Sequence, residues 1–73
     1  MKKTSNWKLI SKIPNANNTI FDLVYQYAGH SIFVEADQFN SWNRYSLNGS
    51  DWFPFPSNWS SVEHIARHYN FPV

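Results

Sequence analysis

Histidine is the first residue type to weigh, because it binds metals and moves protons near neutral pH. The chain has three: His30, His64 and His68. His64 and His68 are four apart in a segment with helical spacing, so both project from one helix face. That is metal-ligand spacing, with His30 as a third donor. No acidic ligand is evident beside the pair, and the zincin pattern is absent. A basic residue near a helix C-terminus is also favoured by the macrodipole, which accounts for Arg67 and His68 on a solvated helix. The expectation is no metal and no cofactor.

Nucleophilic chemistry has no better footing. Serines are plentiful, but no Gly-x-Ser-x-Gly elbow occurs. His30, Ser31, Glu35 and Asp37 make a triad on paper only, as such residues do in most small domains. Two glycines cannot build a phosphate-cradling loop. No catalytic residue is assigned, and the chain reads as non-enzymatic.

What remains is aromatic. Four Trp, four Tyr and six Phe make up 19% of the chain. Trp42, Tyr45, Trp52, Phe53, Phe55 and Trp59 crowd one stretch. Large rings let a short chain assemble a core, yet so small an interior cannot hide all of them. Exposed Trp and Tyr beside an Arg are the material of interface hot spots. Trp42, Arg44, Tyr45 and Trp52 are therefore the candidate partner-binding residues. Trp59, just before a helix start, is assigned to staple-like packing.

Elements must hold these residues. In Trp7–Ile13, Trp7, Leu9 and Ile13 fall on one face and Lys8 and Lys12 on the other, a half-buried strand. Residues 14–18, Pro-Asn-Ala-Asn-Asn, break it. Thr19–Tyr27 is β-branched and aromatic, with Phe21, Leu23, Tyr25 and Tyr27 on one face. Ala28-Gly29-His30 reverses the chain, and Ser31–Ala36 returns as a third strand. Asp37–Asn40 reads as a turn. Ser41–Leu47 is a fourth strand of weaker alternation. Asn48-Gly49 has the composition of a type I′ hairpin turn, which needs positive φ at both centres. A short fifth strand, Ser50–Phe53, ends at Pro54 and Pro56 and forms an edge.

The last segment has a different period. Ser60 and Glu63 fit a capping box. Val62, Ile65, Ala66 and Tyr69 form an apolar stripe, Asn70 suits a left-handed C′ position, and Pro72 forbids continuation. The expected fold is α+β: an antiparallel meander of four to five strands with one C-terminal helix packed on one face. A single domain spans 1–73, with 1–5 a flexible terminus, 6–54 the sheet and 60–69 the helix.

Composition narrows the function. No cysteine is present, so neither a disulfide nor a Cys-based zinc site is expected. The basic start lacks the apolar segment of a secretory signal. No apolar run approaches the ~20 residues that span a bilayer. A cytoplasmic location and no membrane partner are expected. Net charge is only +1, small for a protein that binds chiefly phosphates.

Three functional classes can use an aromatic surface. The first is a protein-binding module, an adaptor or a stoichiometric inhibitor of a larger protein. The Asn-, Lys-, Ile-, Phe- and Tyr-rich usage resembles that of phage and mobile-element accessory proteins, including inhibitors of host defence, and that resemblance implies the inhibitor role. The second is nucleic-acid binding through a sheet face, with Lys2, Lys3, Lys8, Lys12, Arg44 and Arg67 as phosphate contacts. The third is carbohydrate binding. Residues 24–29, Val-Tyr-Gln-Tyr-Ala-Gly, with Trp42 and the Pro-Ser-Asn-Trp of 56–59, resemble small chitin- and cellulose-binding modules; the C-terminal helix departs from their all-β pattern. Protein binding is the first choice. A homodimer through the edge near residues 50–53 would follow from its unpaired backbone.

Overall fold

A computed structural model describes residues 5–73; the basic arm of Lys2 and Lys3 lies outside the described residues. Five strands, β1 (Lys8–Asn15), β2 (Ile20–Tyr27), β3 (His30–Asp37), β4 (Trp42–Ser46) and β5 (Trp52–Pro54), precede one helix, α1 (Val62–His68). They form one antiparallel meander in the order β1-β2-β3-β4-β5. No described helix is long and apolar enough to cross a membrane.

Alternation sets the two faces. Leu23 pairs with Val34, Tyr25 with Ile32 and Phe21 with Ala36. These side chains share the inner face, because directly opposed residues of an antiparallel pair point the same way. Leu23, Ile32, Val34, Ala36 and Tyr45 join Trp7 and the α1 residues Val62, Ile65 and Ala66 in one buried cluster. Of the apolar stripe expected on the helix, Val62, Ile65 and Ala66 are its buried residues, while Tyr69 is the half-buried C-cap.

Two turns reverse the sequence reading. The two-residue turn with positive φ at both centres is Ala28-Gly29 (51° and 80°). At Asn48-Gly49 only Gly49 has positive φ (82°), so no type I′ turn forms there. Side chains build that loop instead. Ser46 Oγ accepts the Asn48 and Gly49 N–H groups at 3.2 and 2.8 Å. Asn48 Oδ1 accepts those of Ser50 and Asp51 at 2.8 and 2.9 Å. Polar side chains that mimic backbone acceptors won over the dipeptide preference.

The first strand also departs from expectation. It continues through Pro14 to Asn15, which an edge strand tolerates because only one side is paired. Between Leu9 and Ser11 the register slips by one residue. This bulge reverses the side on which later residues lie. Lys8 opposes Gln26 on the outer face, whereas Lys12 opposes Leu23 on the inner one. Lys8 and Lys12 are therefore on opposite faces, and Ile13, opposite Asp22, points outward and is 58% exposed.

The helix starts later than the capping box requires. Ser61 is the N-cap and its side chain makes no cap bond. The Ser60 N–H donates to His64 Nδ1 at 2.9 Å, so a histidine one turn on does the work expected of the Glu63 carboxylate. The C-terminal signal holds. Asn70 is left-handed (φ 60°), its N–H donates to Arg67 O at 3.2 Å, and Phe71 N–H donates to Ala66 O at 2.8 Å. That pair of bonds is a Schellman motif. It turns the tail back so that Phe71 stacks on Trp7 and His30, at 6.4 and 4.3 Å between centroids. Trp7 Nε1–H donates to Pro72 O at 3.0 Å, and Asn6 Nδ2–H to Val73 O at 3.0 Å.

Candidate protein-interaction face

β4 carries three of the four candidate partner-binding residues, and an irregularity in it decides where they go. Arg44 opposes Glu35 while Trp42 opposes Ala36, which leaves Asn43 as an extra residue. Trp42 and Tyr45 consequently share the inner face although three positions separate them, and Arg44 lies on the outer face. Trp52 opposes Ser46 and also lies on the outer face. The four candidates form two pairs on opposite sides of the sheet.

Tyr45 is a core residue. It is 4% exposed and sits among Phe53, Trp59 and Tyr69, with ring centroids 5.7, 5.8 and 6.1 Å away. Its hydroxyl lies 2.7 Å from that of Tyr69. Burial, then the Tyr69 hydroxyl, push its phenol up to about 12. A partner reaches Tyr45 only by displacing that packing.

Trp42 is half-buried between Tyr25 (5.6 Å) and Phe55 (5.2 Å). With Phe55, Trp59, Asn40 and Ser60 it lines a shallow cleft of about 270 Å³ that holds no charged side chain. Trp59 meets Phe55 edge-on at 6.0 Å and contacts His68 at 5.2 Å, so it packs as expected, but against the last turn of α1 and not as a staple on the first.

Arg44 and Trp52 make a constructed pair on the outer face. Arg44 Nη2 and Nε donate to Glu35 Oε1 at 2.8 and 3.0 Å. Its guanidinium carbon lies 4.8 Å from the Trp52 ring centroid. The ion pair is too exposed to add more than about 1 kcal/mol of stability, and the cation–π contact adds a similar amount. Their effect is geometric: a long side chain is anchored at both Glu35 and the Trp52 ring, with donors left over for a partner. Arg so ordered loses less entropy when a partner arrives.

The surroundings of this pair were not singled out from sequence. Ile13, Val24 and Phe33 share the outer face, by their pairings with Asp22, Phe33 and Ser46. Ile13 is exposed, and Val24, Phe33 and Trp52 are only partly buried. The 47–51 loop closes over one end, where a Cβ on Gly49 would lie 3.7 Å from the Phe33 ring. The available signal was Phe33 itself, an aromatic in the polar parity of Ser31, Glu35 and Asp37.

The remaining candidates disperse. His64 Nδ1 is engaged by Ser60, His68 packs between Trp59 and Tyr69, and His30 stacks on Phe71. No group of metal-ligating side chains converges among the described residues. Of the paper triad, Glu35 is held by Arg44, Asp37 Oδ1 accepts the Phe39 and Ser41 amides, and His30 faces inward. The described phosphate-contact candidates also separate: Lys8 and Lys12 lie on opposite faces, Lys12 over the Phe21 ring at 5.0 Å, and Arg44 is neutralised by Glu35. Arg67 is in the last turn of α1.

No family model matches the chain, and no curated protein or solved structure matches it.

Proposed function

We propose that this chain is a small non-enzymatic protein-binding module, an adaptor or stoichiometric inhibitor that acts in the cytoplasm, with α1 packed over the inner face and the outer face of the sheet turned to the partner. The observation that carries the reading is Arg44, held over the Trp52 ring and by Glu35 on the face that also carries the half-buried Phe33 and Val24. Ordered Arg and Trp bordering a partly apolar patch are hot-spot chemistry, and a neutral patch suits a partner recognised by shape. Inhibition follows if the patch covers a site on a larger protein; adaptor function follows if it joins two.

The test is affinity capture from the source cell with the wild type, Trp52→Ala and Arg44→Ala, each checked for native circular dichroism. One protein retained by the wild type in moderate salt and lost by both variants is the expected result. Identical capture by all three overturns the assignment of this face. Retention on DNA that falls steeply with salt moves the reading to nucleic acid.

A second reading, binding of a neutral saccharide, is favoured by one observation. The cleft is lined by Trp42, Phe55 and Trp59 together with Asn40 and Ser60, with no charged residue. Quenching of tryptophan fluorescence by a soluble β-linked oligosaccharide, lost in Trp59→Ala, would support it.

A further inference from the structure

The first strand is a sheet edge with an unusual exterior. β1 pairs with β2 alone, and seven of its eight residues are exposed. Leu9, Ile10 and Ile13 are 46%, 54% and 58% exposed, three of the six large hydrophobic side chains exposed among the described residues. The open groove of about 530 Å³ next to its start lies on the opposite, β2-paired side, over Gln26 and Ser31, so the free edge itself is unobstructed by it. The opposite edge is poorer. β5 has three residues, one of them Pro54, which has no N–H to give a new strand.

Charge selects what this edge accepts. β1 carries Lys8 and Lys12 and no acid. The acid on the neighbouring strand, Asp22, is engaged by Asn15 Nδ2 at 3.0 Å. A second copy laid along β1 would bring four ammonium groups to one seam with no carboxylate on either strand. Edge lysines, a bulge and a proline are the devices by which sheets resist self-pairing. The same lysines favour an acidic strand, because opposite charges across a seam attract where like charges repel.

We infer that β1 is a docking edge for an extended, acidic segment of a partner protein, which adds to the sheet as a sixth strand. The inference rests on the reading of the chain as a protein-binding module, but on a different surface from Arg44 and Trp52. The usable ladder is Lys8–Ile13, since Pro14 cannot donate. Apolar side chains of the incoming strand cover Leu9, Ile10 and Ile13, and its carboxylates meet Lys8 on one face and Lys12 on the other. β2 meets those lysines with residues three apart, Gln26 and Leu23, so acids three apart are the matching spacing. Backbone bonds supply affinity and the lysines supply selectivity.

The probe is the capped synthetic octapeptide Thr-Val-Asp-Val-Thr-Glu-Val-Thr, with a control in which both acids are Lys. Binding is followed by amide chemical shifts of the labelled protein and by anisotropy of a labelled peptide. The expected result is saturable shifts centred on residues 8–13, with at least tenfold weaker binding of the control. The double variant Lys8→Glu and Lys12→Glu, both exposed and expected to fold, should reverse that preference. No shift in β1 at millimolar peptide, equal binding of the two peptides, or concentration-dependent dimerisation abolished by the double variant each overturns the inference. Trp52-dependent capture that survives while the peptide fails rejects this edge alone; peptide binding without Trp52-dependent capture rejects the outer face alone.

Discussion

The hydroxyls of Tyr45 and Tyr69 meet at 2.7 Å, joining the fourth strand to the residue that caps α1. One donates and the other accepts, so the contact exists only while both phenols keep enough protons to share. Burial, then the Tyr69 hydroxyl, hold the Tyr45 proton up to about 12, against an ordinary value of 10.0.

That difference fixes the sign of an alkaline effect. The unfolded chain releases the Tyr45 proton near 10 and the folded chain near 12, so the unfolded state gains on the folded state across that window. The Tyr45 contribution to stability should be constant below about pH 10, fall between 10 and 12, and level off above. Denaturant midpoints against pH, with tyrosinate absorbance, check it. Tyr69→Phe should shift the Tyr45 titration downward.

Core and surface roles within β4 separate by substitution. Tyr45→Ala removes a ring that is 4% exposed and should cost about 3–5 kcal/mol. Arg44→Ala loses a half-exposed ion pair and should cost no more than about 1 kcal/mol. Chemical denaturation of both variants gives the comparison. A stable Tyr45→Ala would contradict the burial described above.

Glu63 gives the acid-side counterpart. Burial pushes its carboxyl upward, but the Ser5 hydroxyl, its own backbone N–H, the Ser61 hydroxyl and Arg67 outweigh burial, and the net direction is downward from the ordinary 4.5. A depressed carboxylate contributes stability above its unfolded value and loses it as pH falls through the folded one. Glu63→Gln should therefore destabilise at neutral pH and flatten the decline in stability below about pH 4.5. Denaturant midpoints from pH 7 to 3 test this.

Ala28 has φ of 51°, a region costly for any residue with a Cβ. Ala28→Gly relieves that strain at some cost in unfolded-state entropy. The net expectation is a gain of about 0.5–1 kcal/mol, read from the thermal midpoint. Trp7→Phe, by contrast, removes the donor to Pro72 and should lose about 1 kcal/mol.

The meander and helix were legible because their signals are local and repeated. Alternation in Phe21–Tyr27 and Ile32–Ala36 assigns the inner face with no knowledge of the fold, and Asn70 marks the helix end. The candidate site was legible only in part. Trp42 and Tyr45 join on one face because Asn43 is extra, and Lys8 and Lys12 part because β1 slips near Ile10. Both irregularities are properties of strand pairs, visible only when the neighbour is in place. Side-chain acceptors at Ser46 and Asn48, in the same way, displaced the turn that Asn-Gly favours.

The slip in β1 has a last consequence. Leu9 opposes Tyr25 and Ser11 opposes Val24, consecutive residues of the neighbouring strand, so Ile10 is surplus to the ladder. Excising it would leave every other side chain of that strand on its present side, an outcome unusual for a shortened strand. Over evolutionary time this position is where the chain can lengthen or contract by one unit while keeping its interior intact.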